Sequence, residues 1–350
     1  MSVPKLESVK ELNKFALNIK KIGINMRAII PVAGFGTRLK PHTHSTPKVL
    51  LNVGGKPILG HIIDKLIESN IYKTTFVIGH LGEKIEAYIR NEYPSLQADF
   101  VLQQEMLGLG HAIYSSIPTF DDDEIFITLG DTIFDVDLTN VFEKKISSLG
   151  VKEVDDPRRF GVAFIQKDRV EKLIEKPATA ISKLALVGLY YISDSKKLKD
   201  SLCKLIDNNI RTKGEYQLTD ALQLMIDDGI EFTTFPVEGW YDCGKPETLL
   251  ATNEFLLKRN GTNRTAEGVV INHPVFIARD AVVKNCIIGP FATIGERCII
   301  QDCLIKNSIV SSDCNLNRVM LENSIVGSNA VIKGSFKRLN AGDSSEIVLF

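Results

Sequence analysis

The run Pro31-Val-Ala-Gly-Phe-Gly-Thr-Arg-Leu-Lys-Pro41 is the stretch of this sequence best suited to chemistry. Gly34 and Gly36 form a turn directly after an apolar segment. Backbone N–H groups in such a turn, helped by a following helix N-terminus, can cradle phosphates. Arg38 stands just past the turn, and Lys48 follows in Thr46-Pro-Lys-Val-Leu-Leu. A dinucleotide fingerprint would need a third glycine where Leu39 stands, and no G-K-[ST] marks a Walker loop. Two fixed cations beside a phosphate cradle instead suit a triphosphate whose pyrophosphate must leave.

Further candidates lie downstream. Asp131 closes the apolar segment Ile125–Leu129, and Asp242 sits within Trp240-Tyr-Asp-Cys-Gly244. Glu175-Lys176-Pro177 joins an anion to a cation at a strand exit. His42, His44, His80 and His111 are too scattered to read as a metal set, and His42 and His44 fall on the loop after Arg38.

Taken in order, G-x-G-T-R-L-x-P-x-T, P-K-x-L-L and K-P-I resemble the signature of the sugar-1-phosphate nucleotidylyltransferases. The likeness is closest to the glucose-1-phosphate thymidylyl- and uridylyltransferases and covers about residues 27–260. It implies Ala33, Gly34, Gly36, Thr37, Gln103 and Gly108 at the nucleotide, with Gln103 and Gly108 on the base. It implies Gly161, Glu175, Lys176, Gly188 and Trp240 at the sugar, with Lys176 on its phosphate, and Arg38, Lys48 and Lys176 as the catalytic cations. Asp131 and Asp242 would hold Mg²⁺, which prefers hard oxygen ligands and few protein contacts. Gly214-Glu-Tyr-Gln-Leu-Thr-Asp220 matches a further segment beside the sugar. Two departures stand out. Ser45-Thr-Pro-Lys48 lacks the R-A-K-P of the adenylyl branch, and Phe160 replaces the family's tyrosine.

The resemblance implies Mg²⁺-dependent transfer from dTTP or UTP to glucose 1-phosphate, or from UTP to another sugar such as N-acetylglucosamine 1-phosphate. A catalytically silent regulatory subunit is a further reading, disfavoured because the phosphate- and metal-binding residues all stand.

These residues need a scaffold. Ala28–Val32, Thr75–Ile78, Phe100–Gln103 and Ile125–Leu129 read as buried parallel strands. Helical periodicity at Ile58, Leu59, Ile62, Ile63, Leu66 and Ile67, and at Ile85, Tyr88 and Ile89, alternates with them. The expected fold is α/β, a Rossmann-like nucleotidyltransferase domain with a mostly parallel sheet, its ligand beyond the strands' carboxyl ends. From about Gly268 to Ile332, apolar residues recur every five or six positions, from Ile277 through Ile294 and Val310 to Ile332, each followed by a small residue. That predicts a short left-handed parallel β-helix of hexapeptide repeats, a little under four coils long. Cys286, Cys298, Cys303 and Cys314 fall at the small positions and read as packing thiols.

The predicted organisation is an extension over 1–25, helical by the spacing of Val9, Leu12, Ala16 and Ile19; a catalytic domain over 26–262; and the β-helix and tail over 263–350. An acetyltransferase role for the β-helix is disfavoured, since His273 is the only histidine after Gly268; assembly or regulation is expected, with a homo-oligomer. Forty-two basic against 43 acidic residues leave a net charge of −1, which argues against nucleic acid as a partner. No apolar run reaches the length of a membrane span and no signal-peptide pattern opens the chain, so a cytoplasmic location is expected. The six cysteines form neither a disulfide framework nor a zinc pattern.

Overall fold

The computed structural model describes residues 26–121, 123–261 and 268–334. The expected helix over 1–25 and the expected boundary at 262/263 lie outside those residues. The chain divides into two compact units. One comprises the chain through Gly244 without residues 52–56, and the other comprises 52–56 with everything from Lys245.

The first unit is built on β1 (Met26–Pro31), α1 (Ile58–Glu68), β2 (Lys73–Ile78), α2 (Gly82–Glu92), β3 (Gln97–Leu102), α3 (Leu109–Ser115) and β4 (Glu124–Thr128). β1, β2 and β3 pair in parallel, and β4 lies parallel to β1 on its other side. β5 (Thr132–Asp135), β6 (Ser148–Glu153), β7 (Gly161–Gln166), β8 (Arg169–Glu175) and β9 (Leu184–Ile192) follow, then α4 (Ser195–Asp207), α5 (Leu218–Asp227), β10 (Thr233–Pro236) and β11 (Gly239–Asp242). The main sheet runs β8-β7-β9-β4-β1-β2-β3, with β6 paired to β9 and β10 paired to β6. The parallel half matches the buried apolar runs of the sequence. β7, β8 and β9 are antiparallel and extend the sheet beyond β4. Ile29, Val77, Ile127, Leu149 and Ile192 lie in one core with Leu198, Leu202 and Leu222 of α4 and α5. At about 25 cal/mol per Å² this apolar burial supplies the main force holding the sheet.

The second unit contains α6 (Pro246–Asn260) and three parallel sheets of four short strands each, the geometry of the expected left-handed β-helix. Each strand pairs with one 16 or 17 residues further on, as Val270 with Ile287, Ile287 with Leu304, and Leu304 with Met320. Ile288, Ile294, Ile300, Ile305, Val310 and Leu316 fill the interior, and the four cysteines are buried with them. Several of the small residues follow a residue held in the left-handed region. Asn285 precedes Cys286, Asp302 precedes Cys303, Asp313 precedes Cys314 and Asn307 precedes Ser308. Asn and Asp tolerate that conformation best after glycine, which explains their recurrence at the corners.

Asn253 on α6 ties the second unit together. Its Oδ1 accepts from the Gly54 N–H at 2.8 Å and from the Thr293 hydroxyl at 2.7 Å. Its Nδ2 donates to the Phe291 carbonyl at 3.1 Å, and the residue is fully buried. Gly55 lies against the Phe276 ring, where a Cβ would come within 2.4 Å of it. Among the described residues, no helix is long and apolar enough to cross a membrane.

Candidate active site

The carboxyl ends of β1 and β4 open onto a cleft of about 460 Å³ in the first unit. Eight of the residues singled out in the sequence line it: Gly34, Gly36, Thr37, Arg38, Lys48, Asp131, Glu175 and Lys176. The other seven stand behind or beside its walls, as follows.

The glycine turn has the conformation its sequence implies. Gly36 is left-handed at φ +62°, and a Cβ there would lie 2.9 Å from that of Lys48. The Thr43 hydroxyl donates to the Gly36 carbonyl at 3.0 Å and pins the loop. A single 3₁₀ turn, Thr37–Leu39, follows it. Pro41 and Pro47 lack the N–H that a continuing helix would require. The cradle is therefore a backbone turn flanked by cations rather than a helix N-terminus. Leu39, at the place of the missing third glycine, is fully buried and anchors the turn. Ala33 is buried beneath it, its carbonyl 2.8 Å from where a Gly79 side chain would start.

Lys48 is only 8% exposed, and its Nζ lies 2.5 Å from the Asp131 carboxylate. Asp131 stands just past the end of β4, and its carbonyl accepts from the Cys243 N–H at 3.0 Å. Asp242, on β11, is paired opposite Thr132. Asp131 directly precedes β5 and Asp242 closes β11, so the two aspartates stand at the same end of the β5–β11 ribbon. Arg38 and Asp242 flank Gly244: its missing Cβ would lie 2.8 Å from the Asp242 carboxylate and 3.1 Å from the Arg38 guanidinium. Among the described residues, no three His, Cys, Asp or Glu side chains gather as a metal cage. Two carboxylates are nevertheless a suitable donor set for a hard cation that takes its remaining oxygens from phosphates and water.

On the far wall, Glu175 accepts from the Thr219 hydroxyl at 2.7 Å, and Lys176 Nζ lies 3.6 Å from its other oxygen. Gly161 makes room for this contact, since a Cβ would meet both Glu175 Oε2 and Thr219 Oγ1 at 2.9 Å. Lys176 is itself left-handed, its N–H bonded to the Phe160 carbonyl at 3.0 Å. Gly188, at φ +83°, faces the Leu129 side chain, a lining residue. Trp240 packs edge-on against Phe160 with ring centroids 5.2 Å apart, and its indole N–H is buried without a hydrogen-bond partner among the described residues.

Gln103 follows β3 and is buried. Its Nε2 approaches the Gly108 carbonyl at 3.4 Å and His111 Nδ1 at 3.2 Å. Gly108 has φ +114°, and a Cβ there would collide with the Tyr216 carbonyl at 2.5 Å. The loop is stitched to the Gly214–Asp220 segment on both sides, with Tyr216 N–H donating to the Leu107 carbonyl and Gly110 N–H to the Tyr216 carbonyl, each at 2.8 Å. Glu215 and Gln217 of that segment, together with Leu109, also line the cleft. The sequence reading placed the segment beside the sugar without assigning a role to either side chain.

The cleft at the carboxyl ends of the parallel strands brings cations at a glycine turn together with carboxylates. The family model "Nucleotidyl transferase" matches residues 27–259. The chain belongs to this family. The transferase is 31% identical to the low-salt glycan biosynthesis nucleotidyltransferase Agl11 of Haloferax volcanii, over 93% of this chain and all of that one. It is 33% identical to the bifunctional protein GlmU of Methanococcus maripaludis, over 89% of this chain and 72% of the relative. To the glucose-1-phosphate thymidylyltransferase of Streptomyces antibioticus it is 29% identical, over 92% and 99%. Among solved structures, one from Bacillus anthracis described as a glucose-1-phosphate thymidylyltransferase superposes with a TM-score of 0.58 at 27% identity. It covers 69% of this transferase and 98% of that chain.

Proposed function

We propose that this transferase moves a nucleotidyl group from dTTP or UTP to a sugar 1-phosphate, with glucose 1-phosphate the best candidate, releasing pyrophosphate. The observation that carries this reading is the arrangement of one cleft. The glycine turn with Arg38 and Lys48 lies at one wall, Glu175 and Lys176 at the other, and Asp131 beside Lys48 between them.

The attacking group is already an oxyanion. A phosphate oxygen of the sugar 1-phosphate forms a bond to the α-phosphorus, the α–β bridging P–O bond breaks, and its electrons leave with pyrophosphate. No general base is needed, so positioning and charge neutralisation supply the catalysis. The N–H groups of the Gly34–Thr37 turn hold the triphosphate, and Arg38 and Lys48 neutralise the departing pyrophosphate. Lys176 orients the attacking phosphate, while Glu175, fixed by Thr219, accepts from sugar hydroxyls. Gly161 and Gly188 keep the sugar pocket open, and Trp240 walls it. Asp131 and Asp242 would hold Mg²⁺, which supplies charge neutralisation at the phosphates when bound. With phosphates at the β1 turn and the sugar toward β7, β8 and β9, the base is left the β2–β3 side, where Gln103 and Gly108 stand. Those two would read it.

The test is pyrophosphate release with Mg²⁺ over a grid of dTTP, UTP, CTP, ATP and GTP against glucose, galactose and N-acetylglucosamine 1-phosphates. Strong turnover with dTTP or UTP and glucose 1-phosphate is the expected result. Silence over the whole grid from folded protein would overturn the reading and favour a regulatory subunit. We further propose that the β-helix serves assembly, which size-exclusion of the full chain tests through its apparent mass.

A further inference from the structure

We propose that His111 sets the orientation of the Gln103 amide and so selects a base carrying a ring N–H, uracil or thymine, against cytosine. The inference rests on the reading of Gln103 and Gly108 as the base-facing pair and assigns a positioning role to a residue behind them.

An amide NH₂ can only donate. His111 Nδ1, 3.2 Å from Gln103 Nε2, must therefore accept, which leaves the ring's single proton on Nε2. The second contact of Nε2, to the Gly108 carbonyl, is longer at 3.4 Å, and that carbonyl already accepts from the Ala112 N–H at 3.1 Å. His111 is thus the nearer partner. The imidazole is itself held: its ring lies beside those of Tyr114 and Tyr216, each with centroids 6.4 Å away and planes within 28°. Burial, aided by the Arg211 charge, lowers its basicity, while Glu105 opposes them; the net shift is downward, toward the neutral, accepting form.

With Nε2 committed, Oε1 is the end of the Gln103 amide left for a base. Among the described residues none donates to that oxygen, and the Gly108 N–H has no acceptor. The pair then presents an acceptor beside a donor. Uracil and thymine match it with N3–H and a flanking carbonyl. Cytosine sets an unprotonated N3 against Oε1, two acceptors face to face, and a lone pair so placed is costly to bury. Were the amide reversed, the preference would reverse with it.

The experiment uses the full chain and measures kcat/KM for UTP and for CTP, with glucose 1-phosphate saturating. In His111→Ala the UTP/CTP ratio should fall at least about ten-fold, roughly what one hydrogen bond is worth. The KM for glucose 1-phosphate should stay within about three-fold. His111→Gln, whose carboxamide oxygen can accept, should restore most of the ratio. A purely structural role would not be rescued in this way. His111→Leu, similar in bulk but without an acceptor, replaces the alanine variant if that one does not fold. An unchanged ratio in the alanine or leucine variant, with a collapsed ratio in Gln103→Ala, would overturn the role of His111 and leave the base-facing pair standing. An unchanged ratio in Gln103→Ala as well would remove both.

Discussion

Lys48 Nζ lies 2.5 Å from the Asp131 carboxylate, so the cation expected at the triphosphate and an anion expected at the metal neutralise each other across the cleft floor. Lys48 is almost wholly buried and Asp131 about one-third exposed, so the carboxylate is the accessible partner. A buried ammonium without a counter-charge is expensive, and Asp131 supplies that counter-charge. In the proposed reaction both partners exchange: Lys48 turns to phosphate oxygens and Asp131 to the cation.

Lys48→Met should therefore lower kcat/KM about 10²- to 10³-fold, the scale of losing one preorganised charge in a closed site. Pyrophosphate release reads it. A variant within three-fold of the parent would remove Lys48 from the catalytic set.

Asp131→Asn and Asp242→Asn should each raise the Mg²⁺ concentration needed for half-maximal activity, and chelation with EDTA should abolish turnover in the parent. An Mg²⁺ titration of each variant checks this. If the doubly substituted protein kept near-normal turnover at the same Mg²⁺ concentration, the metal assignment would be wrong.

Gly161→Ala places a methyl group 2.9 Å from both Glu175 Oε2 and Thr219 Oγ1 and must part them. The KM for the sugar 1-phosphate should rise about ten-fold or more, consistent with one displaced hydrogen bond plus steric strain. The KM for the nucleotide should hold. An equal rise in both would show that Gly161 acts on the cleft as a whole.

Asn253→Ala strips partners from the Gly54 N–H, the Thr293 hydroxyl and the Phe291 carbonyl together. Leaving buried groups unpaired costs about 1–3 kcal/mol each when they cannot reach water. A loss of about 2–4 kcal/mol is expected, read as a lower denaturant midpoint for the second unit. A change below 0.5 kcal/mol would show that water replaces the side chain.

Cys203 is the half-exposed thiol, and the other five cysteines are buried. Ellman's reagent should modify about one thiol quickly in the folded protein and the rest only in denaturant, because reaction needs an accessible thiolate. Rapid modification of three or more would mean that the β-helix opens readily.

How much of this was legible in the sequence depended on the range of the signal. Ile294, Ile300 and Ile305 announce the β-helix because its repeat is local, and the parallel strands from β1 to β4 announce themselves by unbroken apolar runs. The first turn, with Gly36 and Lys48, was legible as a motif, and so was the loop after Arg38, where Pro41 and Pro47 lack the N–H of a helix interior. Glu215 and Gln217 reach the cleft only because Tyr216 is bonded to the Leu107–Gly110 loop, a pairing across about 100 residues that leaves no periodic trace. The bond between Gly54 and Asn253 spans 199 residues and was equally silent.

That last contact bears on how such a protein can be inherited. Residues 52–56 lie early in the chain yet belong to the unit that is otherwise formed from Lys245 onward. The C-terminal third is consequently not a detachable cassette. A recombination event that exchanged it whole would bring a new helix and a new first coil to face an old Gly54-Gly55. The exchange would succeed only where the incoming segment again offered an acceptor for the Gly54 N–H and an aromatic edge tolerating a bare backbone. Five residues at the wrong end of the gene thus set the terms on which the β-helix can be traded.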